Sequence, residues 1–160
     1  MDHRSAPFVL PMNEPNLNRK RRGEVAEAAF LHKAASLGFT VAKTWGESDR
    51  YDFMVDTGGR LLRIQVKSAY SAAEYGGYTF HAHGNTPADV YTSDDIDFLV
   101  AYIVPENVWY VLPIQIFAGI SGAKIFPSSR RRMSRYEKYR EAWSLMTDPP
   151  KRTSQNKLSS

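Results

Sequence analysis

The chain has 160 residues, a formal net charge of +4 and no cysteine. That length suits one domain with its own core and leaves little room for two. The missing thiols exclude disulfides, thiolate metal sites and a cysteine nucleophile. No apolar run is long enough to span a bilayer and the start lacks the order of a secretory signal, so a soluble intracellular protein with no membrane partner is expected.

Met1 to Leu17 holds three prolines and little periodicity, and it reads as a flexible arm. Gly23 to Leu37 reads as a helix, because Ala26, Phe30, Ala34 and Leu37 recur at three- and four-residue spacing and Gly38 stands ready to end it. Its other side presents Glu24, Glu27 and Leu31. A strand is expected at Phe39 to Trp45, a polar turn at Gly46 to Arg50, and a short strand at Tyr51 to Val55. Asp56 to Arg60, with Gly58-Gly59, is a hairpin signal leading into the strand Leu61 to Lys67. With period two, Leu62, Ile64 and Val66 share one face there, and Arg63, Gln65 and Lys67 share the other.

Ser68 to Gly77 reads as a loop and Tyr78 to Ala82 as a strand, whereas Gly84 to Tyr91 carries no clear pattern. Ile96 to Val104 is nearly continuous apolar sequence. Pro105-Glu106-Asn107 turns it into Val108 to Leu112, a hairpin suited to the middle of a sheet. A short helix is expected around Gln115. A second helix is expected at Met133 to Met146, docking through Tyr136, Tyr139, Trp143 and Met146. Asp148 to Ser160, interrupted by Pro149-Pro150, reads as a disordered tail, which places the folded unit at residues 18 to 147.

Charge divides along this order. Residues 1 to 23 hold five Lys or Arg against two acids, 24 to 123 hold six against twelve, and 124 to 152 hold nine against three. Basic flanks around an acidic centre suit a polyanion-binding protein with a cation-binding site, although a solubilising surface gives the same pattern. Arg19, Lys20, Arg21 and Arg22, just before the helix, are candidate phosphate anchors. Arg130, Arg131, Arg132, Arg135, Lys138 and Arg140 form the densest basic run and could follow a groove or read guanine edges.

The chemistry concentrates on the central hairpin. If Val55 and Asp56 face Arg60 and Leu61, Asp52 falls near Ile64 or Gln65, with Lys67 close by. A carboxylate binds a hard divalent ion such as magnesium, and an amide oxygen serves as a weaker ligand. An ammonium orients water or offsets phosphate charge. Glu24 could add a second acidic ligand. A hairpin whose polar side faces solvent is the plain alternative. His81 and His83, two apart, could present two ligands on one strand face, but no third ligand accompanies them. Tyr70, Tyr75 and Tyr78 could wedge against bases or pack on their own domain. Walker, dinucleotide-binding and nucleophile-elbow motifs are absent, so no organic cofactor is expected.

Gly23-Glu24, Tyr51-Asp52-Phe53 and Arg63-Ile64-Gln65-Val66-Lys67 resemble the three active-site elements of the PD-(D/E)XK nuclease superfamily. They resemble most closely its branch of bacterial group I intron homing endonucleases, in which Gln replaces the usual third-element acid. The superfamily's proline is replaced by Tyr51. Asp95-Ile96-Asp97-Phe98 and Tyr110-Val111-Leu112-Pro113 extend the likeness, which spans about residues 20 to 117. The resemblance implies an α/β, restriction-endonuclease-like core with a mixed central sheet flanked by helices. It implies a bacterial cytoplasmic enzyme that is magnesium-dependent, with manganese as substitute, and cuts double-stranded DNA site-specifically as a homodimer or homotetramer. Catalysis would fall to Glu24, Asp52, Gln65 and Lys67, with Asp52, Gln65 and Glu24 as metal ligands. A branched-DNA resolvase or repair nuclease, and a non-catalytic nuclease-like nucleic-acid binder, remain as alternatives.

Overall fold

The computed structural model describes residues 17–46, 48–127 and 134–147. Helix α1 spans Arg19–Ser36, four residues earlier than Gly23, because Asn18 caps it: the Asn18 side chain accepts from the Arg21 N–H at 2.9 Å. The basic run Arg19–Arg22 is therefore the helix's first turn rather than a segment before it. Ala26, Phe30 and Ala34 are its buried stripe, and Gly38 ends it in the left-handed region at φ 83°.

A five-stranded sheet lies against that stripe. Its strands are β1 (Thr40–Lys43), β2 (Phe53–Asp56), β3 (Leu61–Ala69), β5 (Phe98–Ile103) and β6 (Val108–Pro113), in spatial order β1-β2-β3-β5-β6. β3 and β5 pair in parallel and the other neighbours are antiparallel, so the sheet is mixed. One face packs Phe53, Val55, Leu62, Ile64, Val66, Phe98, Val100, Trp109 and Val111 under α1. The opposite face packs Leu99, Ala101, Ile103, Tyr110 and Leu112 against a two-stranded sheet of β4 (Tyr78–His81) and β7 (Gly122–Ile125). This is the expected α/β, restriction-endonuclease-like core. Strand β7 has no counterpart in the sequence reading; alternation of buried Ala123 and Ile125 over four residues is too short a signal to stand alone.

Arg63 and Asp97 lock the parallel pair where no turn can. The Asp97 carboxylate accepts from the Arg63 backbone N–H at 2.7 Å and its Nε at 3.2 Å, and the Asp97 N–H returns a bond to the Arg63 carbonyl at 2.9 Å. The turn at Pro105 to Asn107 forms as a 3-10 turn, Val104–Glu106, closed by a left-handed Asn107. The short helix around Gln115 is a 3-10 turn, Ile114–Ile116.

The helix expected over Met133 to Met146 does not form. Its described part holds a 3-10 turn, Glu137–Tyr139, and a four-residue helix α2, Ser144–Thr147. The interruption has a cause: β6 is an edge strand with unpaired backbone groups. Arg140 bridges to Tyr110, the Glu141 N–H donates to the Trp109 carbonyl at 2.8 Å, and the Glu141 carboxylate accepts from the Trp109 N–H at 3.0 Å. Satisfying the edge takes Glu141 to φ 47°, which no helix tolerates. Trp143 and Met146 still reach the core beside Phe30. Arg130, Arg131 and Arg132, the arm up to Asn16 and the tail from Asp148 lie outside the described residues.

Candidate active site

Asp52 sits one residue before β2, and its backbone is held from both sides. Its N–H donates to the Ile64 carbonyl at 2.8 Å, and its carbonyl accepts from the Thr44 N–H at 3.2 Å. Because Phe53 pairs with Ile64, Asp52 falls opposite Gln65. There its Oδ2 accepts from Gln65 Nε2 at 2.8 Å and from the Val66 N–H at 2.7 Å. Gln65 is buried, at 8 % exposure. Its Oε1 and Asp52 Oδ1 have no hydrogen-bond donor among the described residues.

Burial is the main influence on Asp52, pushing its carboxyl up to about 6; the Val66 N–H opposes it, and the charge of Glu27 pushes the same way as burial. Burial likewise lowers the Lys67 ammonium, against the pull of Asp52 and with help from Arg50. The charges of Asp52 and Lys67 thus favour each other at a place where burial opposes both. Gln65 is hydrogen-bonded to Asp52, and Lys67, two residues further along β3, interacts with Asp52 through its charge.

The helix acids are less simple. Glu24 and Glu27 both line a cavity of about 460 Å³ together with Lys20, Lys43, Thr44, Gly46, Asp49, Tyr51 and Asp52. Glu24 pairs with Arg21 at 3.0 Å and is about half exposed. Glu27 pairs with Lys43 and is the helix acid whose charge Asp52 feels. Spacing of three on one helix face is the available signal for Glu27. Its partner on a neighbouring strand is not visible from local pattern.

A second layer holds Lys67. Its ammonium lies 5.5 Å from the centre of the buried Tyr91 ring, and the Arg50 guanidinium lies 5.1 Å from the same ring. Arg50 is held in turn by the Asp89 carboxylate, the Val90 carbonyl at 3.1 Å and Asp95 at 3.2 Å. These partners come from the stretch Gly84 to Tyr91 and its continuation, where the sequence shows no regular pattern.

Among the described residues no group of three His, Asp or Glu side chains could hold a metal ion. The rings of His81 and His83 lie 5.2 Å apart, tilted by 55°, with no third ligand among the described residues. Magnesium needs no such cage, since it keeps several waters and takes one or two carboxylates. The oxygen donors at the centre, the Asp52 carboxylate and Gln65 amide with the helix acids on the cavity wall, suit a hard cation better than zinc.

Other candidates separate by place. Lys20 lines the cavity. Arg22 lies 5.1 Å from the Tyr70 ring, whose hydroxyl donates to the Arg22 carbonyl at 2.9 Å. Tyr78 is buried with its hydroxyl on Glu106, so of the three loop tyrosines Tyr75 alone stands well out, at 83 % exposure. Arg135 and Lys138 lie over Tyr136 and Tyr139, and Arg140 bonds Glu137 at 3.2 Å and the Pro127 carbonyl at 3.0 Å.

The family model for PD-(D/E)XK endonucleases matches residues 17–146. The chain belongs to this family. Its fold is also similar to that of a bacterial homing endonuclease, I-Ssp6803I, with TM-score 0.74 and 31% identity over 81% of this chain and 93% of that one. No curated protein matches the chain. Membership gives the convergence of Asp52, Gln65 and Lys67 a nuclease context, and divalent metal ions generally serve catalysis in this family. No described helix is long and apolar enough to cross a membrane.

A raised carboxyl at Asp52 has a consequence for stability. The unfolded chain gives up this proton near 3.8 while the folded chain keeps it to about 6, so folding loses stability as pH rises through that window and recovers none above it. The loss amounts to about 3 kcal/mol. Asp52→Asn removes it. In metal-free buffer the variant is expected to gain on wild type by this order between pH 4 and pH 7, as read by urea denaturation, because titrating groups that do not interact with Asp52 cancel in the difference. A pH-independent difference would show that burial does not penalise the Asp52 charge.

Proposed function

We propose that this protein is a magnesium-dependent endonuclease hydrolysing phosphodiester bonds of double-stranded DNA at specific sites, with manganese able to substitute. The observation that carries the reading is the meeting of Asp52, Gln65 and Lys67 at one partly buried point. Asp52 and Gln65 would hold the metal, with Glu24 or Glu27 as the acid from the helix. The metal would supply Lewis-acid polarisation of the phosphate. Lys67 would orient the attacking water and offset negative charge on the phosphoryl oxygens. Water adds to phosphorus, the bond from phosphorus to the leaving sugar oxygen breaks, and that oxygen gains a proton.

Phosphate contacts would come first from Arg19, Lys20, Arg21 and Arg22. Four cations in the first turn oppose the helix dipole, an unfavourable placement that a bound polyanion reverses. Arg130, Arg131, Arg132, Arg135, Lys138 and Arg140 would extend the contact with the backbone. Each site would cut one strand, so a homodimer or homotetramer with two-fold-related sites is the working assembly.

The test is incubation of the pure protein with a diverse double-stranded DNA library and magnesium, followed by sequencing of cut ends, beside a four-way junction. Cut ends concentrated on few sequences are expected. Cleavage confined to the junction would make the protein a resolvase, and no cleavage with magnesium or manganese would leave a nucleic-acid binder without catalysis.

A further inference from the structure

The cavity beside Asp52 has a flat aromatic group at its edge that the chemistry above does not use. Of the three tryptophans in the chain, Trp109 and Trp143 are 4 % and 7 % exposed, while Trp45 is 98 % exposed. Leaving an indole in water forgoes the burial that normally stabilises so large a ring. Its position is not arbitrary: both neighbours in sequence, Thr44 and Gly46, line the cavity. The Thr44 N–H donates to the Asp52 carbonyl at 3.2 Å, and its hydroxyl lies 3.4 Å from the Tyr51 and Asp52 carbonyls. Gly46, at φ 83°, then turns the chain. Whatever Trp45 holds is thereby placed relative to the Asp52 carboxylate.

The surroundings favour a nucleic acid over a protein. The cavity is lined by charged and polar groups apart from Gly46 and Tyr51: the carboxylates Glu24, Glu27, Asp49 and Asp52, and the cations Lys20 and Lys43, the latter paired with Glu27, with the first-turn cations of α1 next to Lys20 in sequence. The core of a protein interface is contiguous apolar surface. Stacking on a base needs one open π-face beside groups that attract phosphate. Resting on the nuclease reading, we propose that Trp45 is a nucleobase contact, inserting at a base step of the strand whose phosphate enters the cavity, stacking on the base it unstacks and so setting that phosphate against Asp52.

The experiment uses the full chain in calcium with a mixed-sequence duplex as probe, following anisotropy of labelled DNA and acrylamide quenching of tryptophan emission. Wild type at saturation is expected to show Trp45 shielded from acrylamide. Trp45→Ala is expected to bind about tenfold or more weaker, the scale of one lost base–aromatic stack, and Trp45→Phe to recover most of the loss. Both variants should melt with wild type, since the ring is 98 % exposed. Wild type that binds DNA while Trp45 stays as accessible as in the free protein, with Trp45→Ala binding equally well, would overturn the proposal and leave the nuclease reading intact. Shielding that grows with protein concentration in the absence of DNA would overturn it in favour of a contact between copies of the chain. Failure of wild type to bind any DNA would remove the nuclease reading and this inference with it.

Discussion

Asp52→Asn is expected to lower single-turnover DNA cleavage by about three orders of magnitude, equivalent to about 4 kcal/mol of transition-state stabilisation, with DNA binding largely kept. The variant keeps the local structure. The introduced amide oxygen can still accept from the Val66 N–H, which lies 2.7 Å from the native Oδ2, while the charge that would fix a hard cation is gone. Affinity survives because the phosphate contacts assigned to the first turn of α1 are untouched. Lys67→Ala is expected to lose a comparable factor through the missing positive charge. The double variant should lose much less than the product of the two, since both groups act on one phosphate. Cleavage in magnesium beside binding in calcium reads both quantities. Wild-type rates in either single variant would make the site assignment wrong. The same substitution that destroys cleavage is expected to stabilise the fold at neutral pH, the usual relation between a buried catalytic charge and stability.

Phe30→Ala is expected to remove about 3–5 kcal/mol of stability. Phe30 is fully buried, and its ring centre lies 5.1 Å from Phe53, 6.2 Å from Trp109 and 6.4 Å from Trp143. It is the point at which α1, two strands of the sheet and the C-terminal segment meet. A domain of this size holds about 5–15 kcal/mol in total, so the variant is left near its margin. Function should suffer before the fold is lost, because α1 carries Glu24, Glu27 and the first-turn cations to the cavity. Urea unfolding should show a lower midpoint at an unchanged slope. Leu37→Ala, at a position 39 % exposed, should stay within about 0.5 kcal/mol of wild type. A loss below about 1 kcal/mol for Phe30→Ala would mean that α1 is not docked through this ring.

Where pattern and structure agree, the controlling interactions are short in sequence. The Asp56 to Arg60 turn joins strands whose register follows from its length, and that register places Asp52 opposite Gln65. Alternation along β3 then puts Gln65 and Lys67 on one side and Ile64 and Val66 under α1. The helix itself is legible from Ala26, Phe30 and Ala34, although it starts four residues before the pattern does because Asn18 precedes a basic rather than an apolar turn.

What pattern misses depends on partners far along the chain. Tyr136, Tyr139, Trp143 and Met146 have helical spacing, yet β6 requires backbone partners at its open edge, and Arg140 and Glu141 supply them at the cost of the helix. The Arg50 clamp joins residues 39 to 45 positions apart through side-chain chemistry that has no period. Glu27 adds its charge to that of Asp52 because of where α1 comes to rest on the sheet. The sequence by itself determined the hairpin, the apolar faces and the facing of Asp52 and Gln65 across it, since turn geometry and side-chain alternation act over a few residues. Tertiary structure alone decided the parallel pairing of β3 with β5, the covering of the β6 edge and the approach of Glu27 to the Asp52 charge. Those depend on hydrogen bonds and charges that meet only after the chain has folded back on itself.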